Sequence, residues 1–129
     1  MVFEFKFTKN QIAYLSHHIQ VLTYGIILDR MGFDTSKLFY AIVTADPVTK
    51  GNKKFRSEVI KTAIENGPKE AIIPIRNATV HVHKFKPLDI ESQLCWAIDY
   101  WKNSREAALT NNLNKCSRCE YQTKCRSPI

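Results

Sequence analysis

The chain has 129 residues, room for one compact domain of ordinary size and not for two. Its 44% of apolar residues allow a core without disulfides, and 19 Lys and Arg against 12 Asp and Glu leave a formal net charge of +7. The excess favours an anionic partner such as nucleic acid, and no apolar run approaches the roughly 20 residues that a bilayer-spanning helix needs.

The N-terminus, Met1-Val2-Phe3-Glu4, has neither the basic flank nor the long apolar stretch of a signal peptide. The expected location is the cytoplasm, with an organellar matrix also compatible and no membrane partner. Thiols stay reduced there, so clustered cysteines point to metal rather than to disulfides.

From Val2 to Phe7 the residues alternate. Phe3, Phe5 and Phe7 share one face and Val2, Glu4 and Lys6 the other, which predicts a strand with an aromatic core side and a charged opposite side. Asn10 and Ser16 suit a helix start. From about Ile12 or Ser16 to Met31 the period becomes helical, with Ile19, Leu22 and Ile26 on one stripe and Gly32 as the stop. Leu38 to Ala45 is a nearly unbroken apolar run, as expected of a strand buried on both faces.

Thr49 to Lys61 carries Lys50, Lys53, Lys54, Arg56 and Lys61 against Glu58 alone, then runs as a helix to near Gly67-Pro68. Ala71 to Ile75 and Thr79 to Phe85 predict a hairpin turning at Arg76-Asn77. Pro87 and Asp89 open a helix to about Lys102, with Ile90, Leu94, Ile98 and Trp101 as its inner stripe and Cys95 as a small core residue. His81 and His83 alternate with Val80 and Val82, which places them on a solvated face. The expected organisation is a core over residues 1–102 and an irregular cysteine-rich tail over residues 103–129.

In the tail, Cys116-x-x-Cys119 followed by Cys125 puts three thiols within ten residues. A C-x-x-C turn lets two sulfurs reach one ion, and the neighbouring Lys115, Arg118, Lys124 and Arg126 favour thiolates. Zinc and iron–sulfur centres both usually take four protein ligands. The fourth is open between Cys95 and the histidines His17, His18, His81 and His83. The same four basic residues are candidates for phosphate contact, and Phe55 and Tyr121 offer stacking surfaces along a single strand.

Glu4 and Lys6 project to one side of their strand, roughly 7 Å apart. A carboxylate can hold a divalent ion that activates water, and a lysine can orient that water or stabilise the charged transition state. Gln20 and Tyr24 stand at i and i+4 on the following helix, on one face and near the polar end of that strand.

The order F-E-F-K-F, then H-H-I-Q-V-L-T-Y-G-I-I-L, then L-F-Y-A-I-V resembles the second half of the PD-(D/E)XK nuclease core. The likeness is to its RecB-like branch, which includes CRISPR-associated RecB-like exonucleases and exonuclease V. The ending W-A-I-D-Y-W-K-N-S-R-E and K-C-S-R-C-E-Y-Q-T-K-C-R is similar to that of exonuclease V. The resemblance implies an α/β fold with a restriction-endonuclease-like core, a central mixed sheet flanked by helices. It implies a DNA exonuclease acting on single strands or ends with Mg2+ or Mn2+. Glu4 would be the second acidic metal ligand, Lys6 the catalytic lysine, and Gln20 and Tyr24 the Q-x-x-x-Y pair supporting them. Cys116, Cys119 and Cys125 would hold a 4Fe-4S cluster.

Two features of the family pattern have no counterpart. The aspartate that supplies the first metal ligand and the first cluster cysteine should both precede Glu4. The expectation is therefore a nuclease lacking its N-terminal part, whose bare strand edge pairs with a protein partner or a second copy. The alternatives are a non-catalytic DNA- or partner-binding remnant, and a small zinc-binding module.

Overall fold

The computed structural model of the chain describes residues 1–106, 112–120 and 122–124. They divide into two units at Ser92 and Gln93, within the third long helix rather than after it.

The first unit is built on a four-stranded mixed sheet. Strand β1 (Val2–Phe7) leads through helix α1 (Leu15–Arg30) to β2 (Phe39–Ala45), which lies parallel to β1. A helical crossover is what two parallel neighbours require. Helix α2 (Lys53–Glu65) follows, then the hairpin of β3 (Ala71–Ile75) and β4 (Ala78–Lys84). The order across the sheet is β1-β2-β4-β3, with β4 antiparallel to both of its neighbours. Thus β2 is central, and its residues from Tyr40 to Ala45 are buried on both faces. The α/β architecture, a mixed sheet flanked by helices, matches the expectation from the sequence.

The register sorts the side chains into two layers. Ala41, Val43 and Ala45 of β2 and Ala78, Val80 and Val82 of β4 pack with Val59 and Ala63 of α2, and Phe3, Phe5 and Phe7 border this cluster. The Arg56 guanidinium lies 5.5 and 5.6 Å from the Phe5 and Phe7 ring centres, a cation–π cover for the aromatic face of β1. The opposite face carries Tyr40, Ile42 and Thr44, paired across the ladder with His83, His81 and Thr79 on one side and with Val2, Glu4 and Lys6 on the other. Helix α1 covers this face.

Helix α1 begins at Leu15, between the two starts read from the sequence, with Tyr14 as the flanking residue in place of Asn10 or Ser16. Its buried seam is Val21, Leu22 and Gly25. A Cβ on Gly25 would overlap the Phe85 ring, so glycine here sets how closely α1 approaches. Gly32, at φ +90°, ends the helix as expected, in a conformation that other residues rarely adopt. Asn77, at φ +65°, makes the hairpin turn in the same region.

The last elements are α3 (Leu88–Trp101), the single-turn α4 (Leu113–Cys116) and a 3-10 turn over Gln122–Lys124. On α3 the expected inner stripe is buried only at Ile90. Ile98 is half exposed, Trp101 is 82% exposed, and Cys95 is exposed rather than in a core. A helical period locates an apolar stripe but does not say what covers it. Within this second unit the Arg105 guanidinium sits 3.5 Å from the Trp96 ring centre, and its Nε donates to the Trp96 carbonyl over 2.6 Å.

Candidate functional site

The charged face of β1 meets one stripe of α1. Period-two alternation puts Glu4 and Lys6 on the α1 side of the sheet, and the helical period puts His17, Gln20 and Tyr24 at i, i+3 and i+7, one above another. The Lys6 ammonium donates to Glu4 Oε1 over 2.7 Å and to Gln20 Oε1 over 2.6 Å. The Gln20 amide donates in turn to the Tyr24 hydroxyl over 2.6 Å. Glu4, Lys6, Gln20 and Tyr24, expected from the resemblance to serve one site, therefore form one continuous hydrogen-bonded track.

The donor count shows what the track offers. An ammonium has three N–H groups, and Glu4 and Gln20 take two, so one remains to point at a bound anion. The Tyr24 oxygen accepts from Gln20, which leaves its own O–H to donate outward. Lys6 and Glu4 keep 24% and 17% of their side-chain surface accessible, and Tyr24 is exposed. A ligand can thus reach the track without any opening motion.

His17 belongs beside this track, although the sequence reading weighed it only as a cysteine-cluster ligand. Its Nδ1 accepts from the Tyr14 backbone N–H at the start of α1, which assigns the neutral ring its proton on Nε2. Desolvation is the main cause lowering its pKa, followed by the Lys6 charge, with the Glu4 carboxylate acting against them. The i, i+3 spacing from His17 to Gln20 was the signal that could have found it.

Further along the same face lies a histidine cluster. His18 Nδ1 is 3.0 Å from the Tyr40 hydroxyl, the His18 and His83 rings meet edge to face at 4.9 Å, and His83 stacks on Tyr40 at 5.4 Å. His81 Nε2 lies 3.4 Å from the Thr44 hydroxyl. His81 and His83 are therefore half-buried under α1 rather than on a solvated face. Desolvation lowers the pKa of His18, His81 and His83, and for His18 the neighbouring imidazoles add to it.

In the second unit, Cys116 ends α4, and the Cys119 backbone N–H donates to the Cys116 carbonyl over 3.1 Å, closing the C-x-x-C turn. Cys119 is exposed and Cys116 partly so. Lys115, Arg118 and Lys124 are exposed around the turn, whereas Cys125, Arg126 and Tyr121 lie outside the described residues.

Among the described residues, no three His, Cys, Asp or Glu side chains are grouped to hold a metal ion. Glu4 is the only carboxylate in the track, so among the described residues a divalent ion would find a single carboxylate ligand there. Among the described residues, no helix is long and apolar enough to cross a membrane. Comparison with family models, with curated proteins and with solved structures gave no match to this chain.

Proposed function

We propose that this chain carries the lysine half of a metal-dependent DNA exonuclease site of the PD-(D/E)XK, RecB-like type. The observation that carries this reading is the Glu4–Lys6–Gln20–Tyr24 track, in which a carboxylate, a lysine and a glutamine from two elements converge on one accessible point.

In the reaction, water attacks phosphorus, the bond to the leaving oxygen breaks, and that oxygen takes up a proton. Lys6 stabilises the charge that grows on the phosphoryl oxygens through its remaining N–H. Gln20 fixes the direction of that N–H by holding the ammonium from behind, and Tyr24 donates to the substrate backbone. A divalent Mg2+ or Mn2+ on Glu4 would lower the pKa of the attacking water.

One carboxylate is too few for such an ion, so the reading includes a partner. β1 is an edge strand, and its outer ladder groups can pair with a strand of another segment or copy that brings the second acid. Cys116, Cys119 and Cys125 are proposed to hold a 4Fe-4S cluster, or Zn2+ in the alternative reading. Lys115, Arg118, Lys124 and Arg126 would contact DNA phosphates beside it. The basic composition and the location proposed for the chain, the cytoplasm, agree with this use.

The lone carboxylate favours a second reading, a DNA- or partner-binding domain that keeps the track without cleaving. End-labelled single-stranded DNA incubated with the chain and Mg2+ or Mn2+ separates the two. Metal-dependent shortening that Glu4→Gln abolishes supports the nuclease. DNA binding with no shortening under any metal supports the binding domain.

A further inference from the structure

The basic run from Lys50 to Lys61 has no part in the track, and the fold shows where it goes. Arg56 is committed to Phe5 and Phe7, and Lys61 pairs with Glu65 across one helical turn. Lys54 instead lines a cleft of about 360 Å³ between the start of α2 and the β3–β4 turn. Arg76, on that turn, faces it from the other wall. Among the described residues neither cation is in an ion pair. This cleft lies on the α2 side of the sheet, opposite the Glu4–Lys6 track.

The floor of the cleft is apolar. Val59 is fully buried, and Phe55 and Ile75 are half-buried against the core. Glu58 stands on the next turn of α2 after Lys54 and contributes the one carboxylate.

The two walls are tied together through Asp46. Its N–H donates to the Asn77 carbonyl over 2.8 Å, which pins the turn bearing Arg76. Its carbonyl accepts from the Thr49 N–H over 2.9 Å, and its carboxylate accepts from the Val48 N–H over 2.9 Å, which pin the segment leading into α2. The cleft is thus held open before any ligand arrives, so little ordering cost falls on binding.

An apolar floor with one aromatic ring, between two cations that form no ion pair among the described residues, matches a ligand with a flat, weakly polar body and an attached anion. We infer that the cleft binds one nucleotide unit, with the base against Phe55 and the phosphate between Lys54 and Arg76. Stacking on an aromatic ring and cationic phosphate contact are the pairing by which proteins hold single nucleotides and strands alike. The Glu58 carboxylate repels a phosphate and accepts from an exocyclic amino group, which sets the orientation and favours the amino-bearing bases adenine, cytosine and guanine over thymine. The inference stands whether or not the Glu4–Lys6 track hydrolyses a phosphodiester.

The test is a titration of the full-length 15N-labelled chain with dAMP, with a short oligodeoxyadenylate and with inorganic phosphate, in EDTA so that nothing is cleaved. The expected result is shifts at the amides of Thr49, Phe55, Arg76 and Asn77 with both nucleotides. Binding should weaken by about tenfold or more in Lys54→Ala/Arg76→Ala and by about fivefold or more in Phe55→Leu, which keeps the core filled. Lys69→Ala, which removes a surface cation outside both the cleft and the track, should shift those amides as the parent does, and shifts at the cleft amides rather than at Glu4 and Lys6 separate this site from the proposed nuclease site. An oligomer held more tightly than dAMP identifies a strand as the source, and equal affinity identifies a free nucleotide. Inorganic phosphate giving the same shifts at the same affinity, or nucleotide binding that survives loss of both cations, overturns the inference.

Discussion

Lys6 and Gln20 are joined by a 2.6 Å hydrogen bond across fourteen residues of chain, and that bond ties the charged face of an edge strand to the helix beside it. It fixes where the ammonium points, because the same nitrogen is held from the other side by Glu4. Strand and helix therefore share one donor whose direction neither could set alone.

Gln20→Ala removes the acceptor behind Lys6 and the donor to Tyr24 together. On the nuclease reading, the expected effect is a fall in kcat of about tenfold or more, equivalent to ~1.4 kcal/mol of transition-state stabilisation. The thermal midpoint should move little, since the track is near the surface and water replaces the lost partners. Steady-state cleavage kinetics and thermal unfolding on the same preparation check both halves. A large fall in Tm with kcat unchanged would mean the bond serves stability instead.

Gly25→Ala places a methyl group into the Phe85 ring and should destabilise the fold by about 1–3 kcal/mol. Phe85→Leu gives that methyl room, so the double variant should lose less than the sum of the two single changes. Urea unfolding of the four proteins measures the coupling. Additive losses would place the strain elsewhere.

His18, His81 and His83 have lowered pKa values because the fold buries them, and His18 also feels its imidazole neighbours. For groups shifted down, the unfolded chain binds more protons than the fold between the folded pKa and the ordinary imidazole value near 6.5. Stability is therefore full above that value and is lost as the pH falls through it. The groups facing the cluster are His17 along α1, with Glu70 and Lys86 beside His83. His83→Phe keeps a ring against Tyr40 and should flatten the slope of stability against pH by less than one proton. Unfolding free energies taken across the mildly acidic range check this. An unchanged slope would show that His83 does not take up the proton.

Anaerobic purification addresses the cysteine turn. With a 4Fe-4S cluster the protein should be brown and carry stoichiometric iron, and Cys116→Ser or Cys119→Ser should strip both colour and iron. A colourless protein carrying one zinc per chain would replace the cluster with the zinc reading.

Much of the first unit could be read from the sequence because its signals are local. Alternation in Val2–Phe7 separated the aromatic from the charged face. The unbroken apolar run of β2 marked a strand covered on both sides, and Gly32 marked the end of α1. Gln20 and Tyr24 were legible as a pair because the helical period stacks them. Their place beside Glu4 and Lys6 was expected from the resemblance, but the Lys6–Gln20 bond itself was not legible, since no spacing rule spans the loop between β1 and α1. His83 was misplaced on a solvated face because alternation names two faces without saying that a helix covers the polar one. The stripe of α3 failed for the converse reason: Ile98 and Trp101 repeat at helical spacing, yet they stand exposed. His17 was read only as a cysteine-cluster ligand, although its i, i+3 spacing from Gln20 puts it on the same stripe of α1; its contact with the Tyr14 backbone N–H is one that residue types do not encode.

The most direct test of the nuclease reading is single-turnover cleavage of end-labelled single-stranded DNA in Mn2+, comparing the parent chain with Lys6→Ala at matched Tm. Where the parent cleaves, the expected result is a loss of about a hundredfold or more, the scale seen when a charge-stabilising donor is removed from a transition state. Cleavage at the parent rate by Lys6→Ala would contradict the role given to the Glu4–Lys6–Gln20–Tyr24 track.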